Sequence, residues 1–165
     1  MKKEKDRVYI EKPDGHYCFA CGTANPIGLN LQFYRKDNAI YTEITLGKVY
    51  EGWEGVAHGG IISTLMDEVM SWAIMYAKKA FLVTRKMNSK YVRNVMIGTP
   101  LIVSGRMTDD SEPPKVRAKA EIRDEAGRLL VRGTAEFVTI SRDALSTVTG
   151  RMQEEMLALF ERFEG

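Results

Sequence analysis

Residues 58–68 read HGGIISTLMDE, and several of those residue types can do chemistry at this spacing. Two successive glycines, Gly59 and Gly60, head an apolar helical run, although glycine in a helix interior costs about 0.5–1 kcal/mol relative to alanine. A bare backbone therefore has a use here. The first N–H groups of a helix lack intrahelical partners and sit at the positive end of its dipole. An amide offered by Gly59, with no side chain in the way, suits a carbonyl oxygen that gains negative charge under attack. Gly60 keeps the backbone close where the helix begins. Asp67 supplies a carboxylate as general base on water or as nucleophile through an anhydride. The spacing leaves both roles open, and the base is preferred.

Gly59 and Asp67 are eight residues apart, about 12 Å along a helix axis. One helix cannot grip one carbonyl with both, but a facing antiparallel helix from a second copy can bring its own Asp67. Ser63, Asp67 and Ser71 recur at every fourth position and make a thin polar stripe on an otherwise apolar helix. That stripe can place a water, or simply hold a half-buried acid that does no chemistry. Glu68 points about 100° away from Asp67, as a rival acid or an ion-pair partner.

A second cluster, HYCFACG, carries Cys18 and Cys21, the only cysteines. Two cysteines make no disulfide framework. A metal reading would recruit His16 and His58 as further ligands. No second Cys-x-x-Cys knuckle follows, so the pair reads as a structural loop with free thiols, and no metal is assigned.

The elements that must position these residues follow from periodicity. The segments 29–35 and 39–46 alternate like strands around a KDN turn. From His58 to about Lys79 apolar residues recur at helical spacing on nearly every side, the pattern of a buried helix. It ends at Lys78 and Lys79, whose cations suit the negative end of the dipole. Strands follow at 81–93, 99–109, 115–124 and 128–141, separated by turn-forming stretches, and 150–165 closes the chain as a short amphipathic helix. Short connections require antiparallel neighbours. The reading is α+β, one long central helix wrapped by a curved, largely antiparallel sheet of five to six strands. Residues 1–12 are expected as a mobile tail and 13–165 as a single domain. The chain of 165 residues has 44% hydrophobic and 28% charged residues and a net charge of +2, too balanced for nucleic acid or an anionic membrane as main partner. No run spans a bilayer and no signal segment follows the opening lysines, so a cytoplasmic location is expected.

HGG with an aspartate nine residues after the histidine, on a helix wrapped by an antiparallel sheet, resembles the hotdog-fold thioesterases, and among them the PaaI-like acyl-CoA thioesterases. CFACGTANPIGL and VTRKMNSKYVR…GTPLIVSGRM extend the resemblance over nearly the whole chain. It implies hydrolysis of an acyl-CoA thioester to free acid and CoA. It also implies a homodimer or dimer of dimers with sites between subunits, and no cofactor, CoA being part of the substrate. The residues it singles out are Asp67, Gly59, His58 and Thr84 for catalysis, with Gly60 and Ser63 against the substrate. His58 would orient the loop or touch the thioester, or else cap the helix. Thr84 stands where such enzymes place a hydroxyl near the thioester or its water. Several relatives carry Asn or Gln about six residues before the histidine, where this chain has Gly52. Two other readings stay open: a hotdog hydratase or dehydratase using Glu54 and His58, and an acyl-CoA-binding protein without catalysis.

Overall fold

Strict alternation in KVRAKAEIRD puts Val116, Ala118, Ala120 and Ile122 on one face of a strand and charged residues on the other. In the computed structural model those four side chains are buried and Lys115, Arg117 and Lys119 are exposed. The structure describes residues 6–140, and beyond them residues 144, 150, 153–154, 157–158 and 161. The helix expected at 150–165 and the first five residues of the expected tail fall largely or wholly outside the described residues.

The strands are β1 (Val8–Ile10), β2 (Phe33–Lys36), β3 (Ala39–Thr45), β4 (Glu51–Trp53), β5 (Val56–Ala57), β6 (Phe81–Tyr91), β7 (Pro100–Met107), β8 (Lys115–Asp124) and β9 (Leu129–Ile140), with one long helix, α1 (Gly59–Lys78), between β5 and β6. Seven strands form one antiparallel sheet in the order β1-β2-β3-β7-β8-β9-β6, and β4 with β5 forms a small separate ribbon. The expected layout of a single helix on an antiparallel sheet holds. The sheet exceeds six strands because Val8–Ile10, within the stretch expected as a tail, pairs with Phe33–Arg35 at the edge. The first long strand begins at Phe33 instead of Leu29. The amides of Leu29 and Leu31 go to the carbonyls of Phe19 and Ala20, which draws that stretch into the cysteine loop.

Helix α1 buries Ile62, Leu65, Met66, Val69, Met70, Trp72, Ala73 and Ile74 against the sheet. Trp72 stacks on Phe33 with ring centroids 4.9 Å apart. Each large apolar side chain so buried contributes about 1.5–3 kcal/mol. The helix stops where Lys79 turns left-handed, its amide closing on the Met75 carbonyl. This anchoring fixes the rotational phase of α1, and therefore where its few polar residues point. Among the described residues, no helix is long and apolar enough to cross a membrane.

Candidate active site

His58 precedes the helix with extended backbone and caps it. Its Nδ1 accepts the Gly60 N–H at 2.9 Å, and its carbonyl accepts from Ile61 and Ile62. The Ala57 amide bonds the Val95 carbonyl and the His58 amide bonds that of Tyr50, so the approach to the helix is pinned on both sides. Gly60 suits this cap, since a Cβ there would crowd His58 Nδ1 at 3.0 Å. Gly52 is tightly packed as well: a Cβ at that position would lie 3.0 Å from the Cα of His58.

The Gly59 amide is the exception at this end of the helix. Among the described residues its N–H has no acceptor, and the residue is exposed. Its carbonyl accepts from the Tyr91 hydroxyl at 2.9 Å, and the same hydroxyl lies 3.2 Å from Ser63 Oγ. Tyr91, at the end of β6, escapes sequence reasoning. An exposed tyrosine in SKYVR carries no signal, and only the placement of β6 against α1 brings it to Gly59.

Further along the same flank, Thr84 on β6 donates its hydroxyl to Asp67 Oδ1 at 2.8 Å. Burial pushes the Asp67 carboxyl above the ordinary carboxylate value, and the Thr84 hydrogen bond partly opposes that rise. One carboxylate oxygen is thereby fixed and the other is left for a further partner. The structure brings Asp67 and Thr84 together directly, and Gly59 and Ser63 together through Tyr91. It does not bring His58 to Asp67, nor Glu54 to His58, by any hydrogen bond among the described residues.

Glu68 goes the other way. It accepts from Trp72 Nε1 at 3.0 Å, and Cys18 Sγ lies 3.9 Å from its Oε1. Burial is the main cause that drives its carboxyl up to about 7. Its surroundings are the cysteine loop, not the glycine-rich mouth of the helix.

Gly59, Ser63 and Asp67 lie on α1 and Thr84 and Tyr91 on β6, and among the described residues β6 is an edge strand of the sheet, paired only with β9. Residues 54–109, about a third of the chain and the stretch that runs from the ribbon through β7, match the thioesterase superfamily model. The sequence matches no curated protein. Solved structures that share the fold include a protein described as a thioesterase superfamily member, with TM-score 0.65 and 24% identity, covering 70% of this chain. The present chain spans only 56% of that protein. A hypothetical thioesterase from Streptococcus pneumoniae, solved with coenzyme A, has TM-score 0.62 and 16% identity, covering 68% of this chain and 88% of its own. The PaaI protein of the E. coli phenylacetic acid degradation operon has TM-score 0.62 and 13% identity, covering 68% of this chain and 81% of its own. The chain has the hotdog fold. The resemblance to thioesterases of this fold, PaaI among them, is borne out.

Proposed function

We propose that the protein hydrolyses an acyl-CoA thioester to free acid and CoA, at sites shared between two subunits. The observation that carries this reading is the unpartnered Gly59 amide at the positive end of α1, on the same flank as the Thr84-held Asp67. The thioester oxygen would take the Gly59 N–H, where a fixed donor and the helix dipole meet charge that develops only during attack. Asp67 of the facing subunit would take a proton from water as that water adds to the carbonyl carbon. The proton then passes to the departing CoA sulfur. A carboxylate raised by burial is a better base than an ordinary one. Thr84 is a positioning residue, holding Oδ1 so that Oδ2 faces the water. The coenzyme A bound to the S. pneumoniae relative supports the substrate class.

Support for the second subunit comes from β6. Its eleven residues form an edge that nothing among the described residues pairs on its outer side, with Val83 and Tyr91 about half exposed. A long exposed edge is a pairing surface that a chain has to cover. A second copy paired there about a two-fold axis sets two α1 helices side by side and antiparallel, with each Gly59 across from a foreign Asp67.

The test uses two inactive homodimers. Asp67→Asn lowers turnover of acyl-CoA, followed by thiol release, by at least about a hundredfold. Gly59→Ala also loses activity, and mixing the two proteins under exchange restores about a quarter of wild-type turnover, because heterodimers carry one intact site in two. Full turnover in a folded Asp67→Asn protein overturns the chemistry. Inactive mixtures with proven exchange overturn the shared site.

A further inference from the structure

We propose that His16, Cys18, Cys21 and Glu68 form a zinc site that clasps the cysteine loop onto helix α1. The site is separate from the acyl-CoA reading and stands or falls without it.

The donor set assembles from two distant parts of the chain. The sulfurs of Cys18 and Cys21 and a carboxylate oxygen of Glu68 lie within 4.8 Å of one another. His16 stands outside that mutual distance but adjoins the group through Cys21, its Nε2 3.5 Å from Cys21 Sγ, and would close in as the fourth ligand. Zinc–sulfur and zinc–nitrogen bonds of about 2.3 and 2.0–2.1 Å give a tetrahedral S···N edge of about 3.5 Å. The His16–Cys21 approach has that length. The approach of Cys18 Sγ to Glu68 Oε1, 3.9 Å, is long for a hydrogen bond and short enough for two ligands to close on one ion.

The outer contacts have the form that ligands of a metal require. His16 is buried, and its Nδ1 pairs with the Pro13 carbonyl at 2.8 Å. That bond places the ring proton on Nδ1 and leaves the Nε2 lone pair on the cysteine side. Trp72 Nε1–H holds Glu68 Oε1 from behind. Metal-bound imidazoles and carboxylates are oriented by such partners. The turn that presents both thiols is equally constrained. The Gly22 amide closes on the Cys18 carbonyl at 2.8 Å, and a Cβ on residue 22 would lie 2.5 Å from the carbonyl oxygens of both Cys18 and His16. Only glycine fits a turn so tight.

Charge agrees with this. Two thiolates and one carboxylate around a divalent ion leave one negative charge, and any thiol proton present is released to solvent on binding. The Lys12 ammonium lies beside the cluster, on the Cys21 carbonyl at 2.7 Å and the Leu31 carbonyl at 2.6 Å. Two soft sulfurs, one imidazole and one carboxylate favour zinc over magnesium or calcium. The fourth ligand missing from sequence spacing is therefore Glu68, supplied by α1. His58 is not part of this set, being engaged as the helix cap.

The test is made on the full-length protein. Purified without chelator, it holds one zinc per chain by elemental analysis. After zinc removal, cobalt(II) titration gives a thiolate-to-cobalt charge-transfer band and the intense visible bands of a tetrahedral ion. Cys18→Ser with Cys21→Ser abolishes the charge-transfer band, and Glu68→Gln weakens cobalt and zinc binding by at least about tenfold. Should the double variant fail to fold, the wild-type thiols decide. They resist a thiol reagent with zinc bound and react after chelation. A reduced wild-type protein that takes neither zinc nor cobalt through sulfur overturns the proposal. So does a Glu68→Gln protein that binds as tightly as wild type, or thiol reactivity indifferent to zinc.

Discussion

Alanine at Gly59 and alanine at Gly60 should act in opposite directions on stability, although the two positions are neighbours. Gly59 is not among the glycines with positive φ, and a Cβ there finds Tyr91 Oη at 3.5 Å, an ordinary contact. Alanine fits, and its smaller unfolded-state freedom stabilises the protein by about 0.4–1 kcal/mol. For a chain of this size that raises Tm by about 1–4 °C. At Gly60 the new Cβ lies 3.0 Å from His58 Nδ1 and 3.2 Å from its Cε1. The imidazole must leave the Gly60 amide, and a lost cap costs about 0.5–2 kcal/mol. Tm should therefore fall, by about 1–8 °C. Turnover separates the variants from simple stability effects. The Gly59→Ala methyl stands in the approach to the open amide, and loss of such a donor lowers turnover by about a hundredfold. The assay is thermal unfolding beside acyl-CoA thiol release on the same preparations. A Gly59→Ala protein with a raised Tm and wild-type turnover would refute the role of that amide. A Gly60→Ala protein as stable as Gly59→Ala would refute the cap.

Two further outcomes follow from individual contacts. Thr84→Val removes the hydroxyl from Asp67, and a hydrogen bond to a charged group contributes about 1.5–3 kcal/mol. It should lower kcat about tenfold or more at similar KM, with Thr84→Ser restoring it; an unchanged kcat in Thr84→Val would remove Thr84 from the site. At the β8–β9 turn, burial pushes Asp124 upward. Bonds from the Arg128 amide and guanidinium and from the Ala126 amide outweigh burial and hold it below the ordinary carboxylate value. Its folded-state value being depressed, its stabilisation is full above the ordinary carboxylate range and is lost as pH falls through the folded value. Asp124→Asn keeps the oxygen for the Arg128 amide but not the charge. In urea titrations its deficit against wild type should be open at pH 7 and close in acid; a deficit independent of pH would refute the assignment.

The elements that carry long periodic patterns were legible from residue order. Alternation in 115–124 and the all-round apolar helix from His58 reproduce β8 and α1 nearly to the residue. What escaped is short or depends on partners. The ribbon of β4 and β5 has strands of three and two residues with a register shift, below any period a sequence can show. Val8–Ile10 becomes a strand only because Phe33–Arg35 offers an edge. Within the site, Thr84 was singled out as a hydroxyl near the thioester or its water, whereas its hydrogen bond to Asp67 was not foreseen. Tyr91 and the destination of Glu68 were not legible. Each depends on how a loop or strand from elsewhere settles against α1.

Adjacent carboxylates with opposite fates show what the packing of α1 accomplishes. Asp67 and Glu68 differ by about 100° of helical rotation, and a buried helix cannot rotate to average their environments. Met66, Val69, Met70 and Ile74 lock the phase, each with almost no exposed surface. Asp67 is therefore delivered to the free sheet edge, where Thr84 holds one oxygen and a second copy can meet the other. Glu68 is delivered to the cysteine loop, where Trp72 holds it against the two sulfurs. A change that let α1 turn would disturb both places at once. A clasp of the loop through Glu68 would accordingly steady the orientation of Asp67, one residue away, without taking part in the chemistry proposed for it.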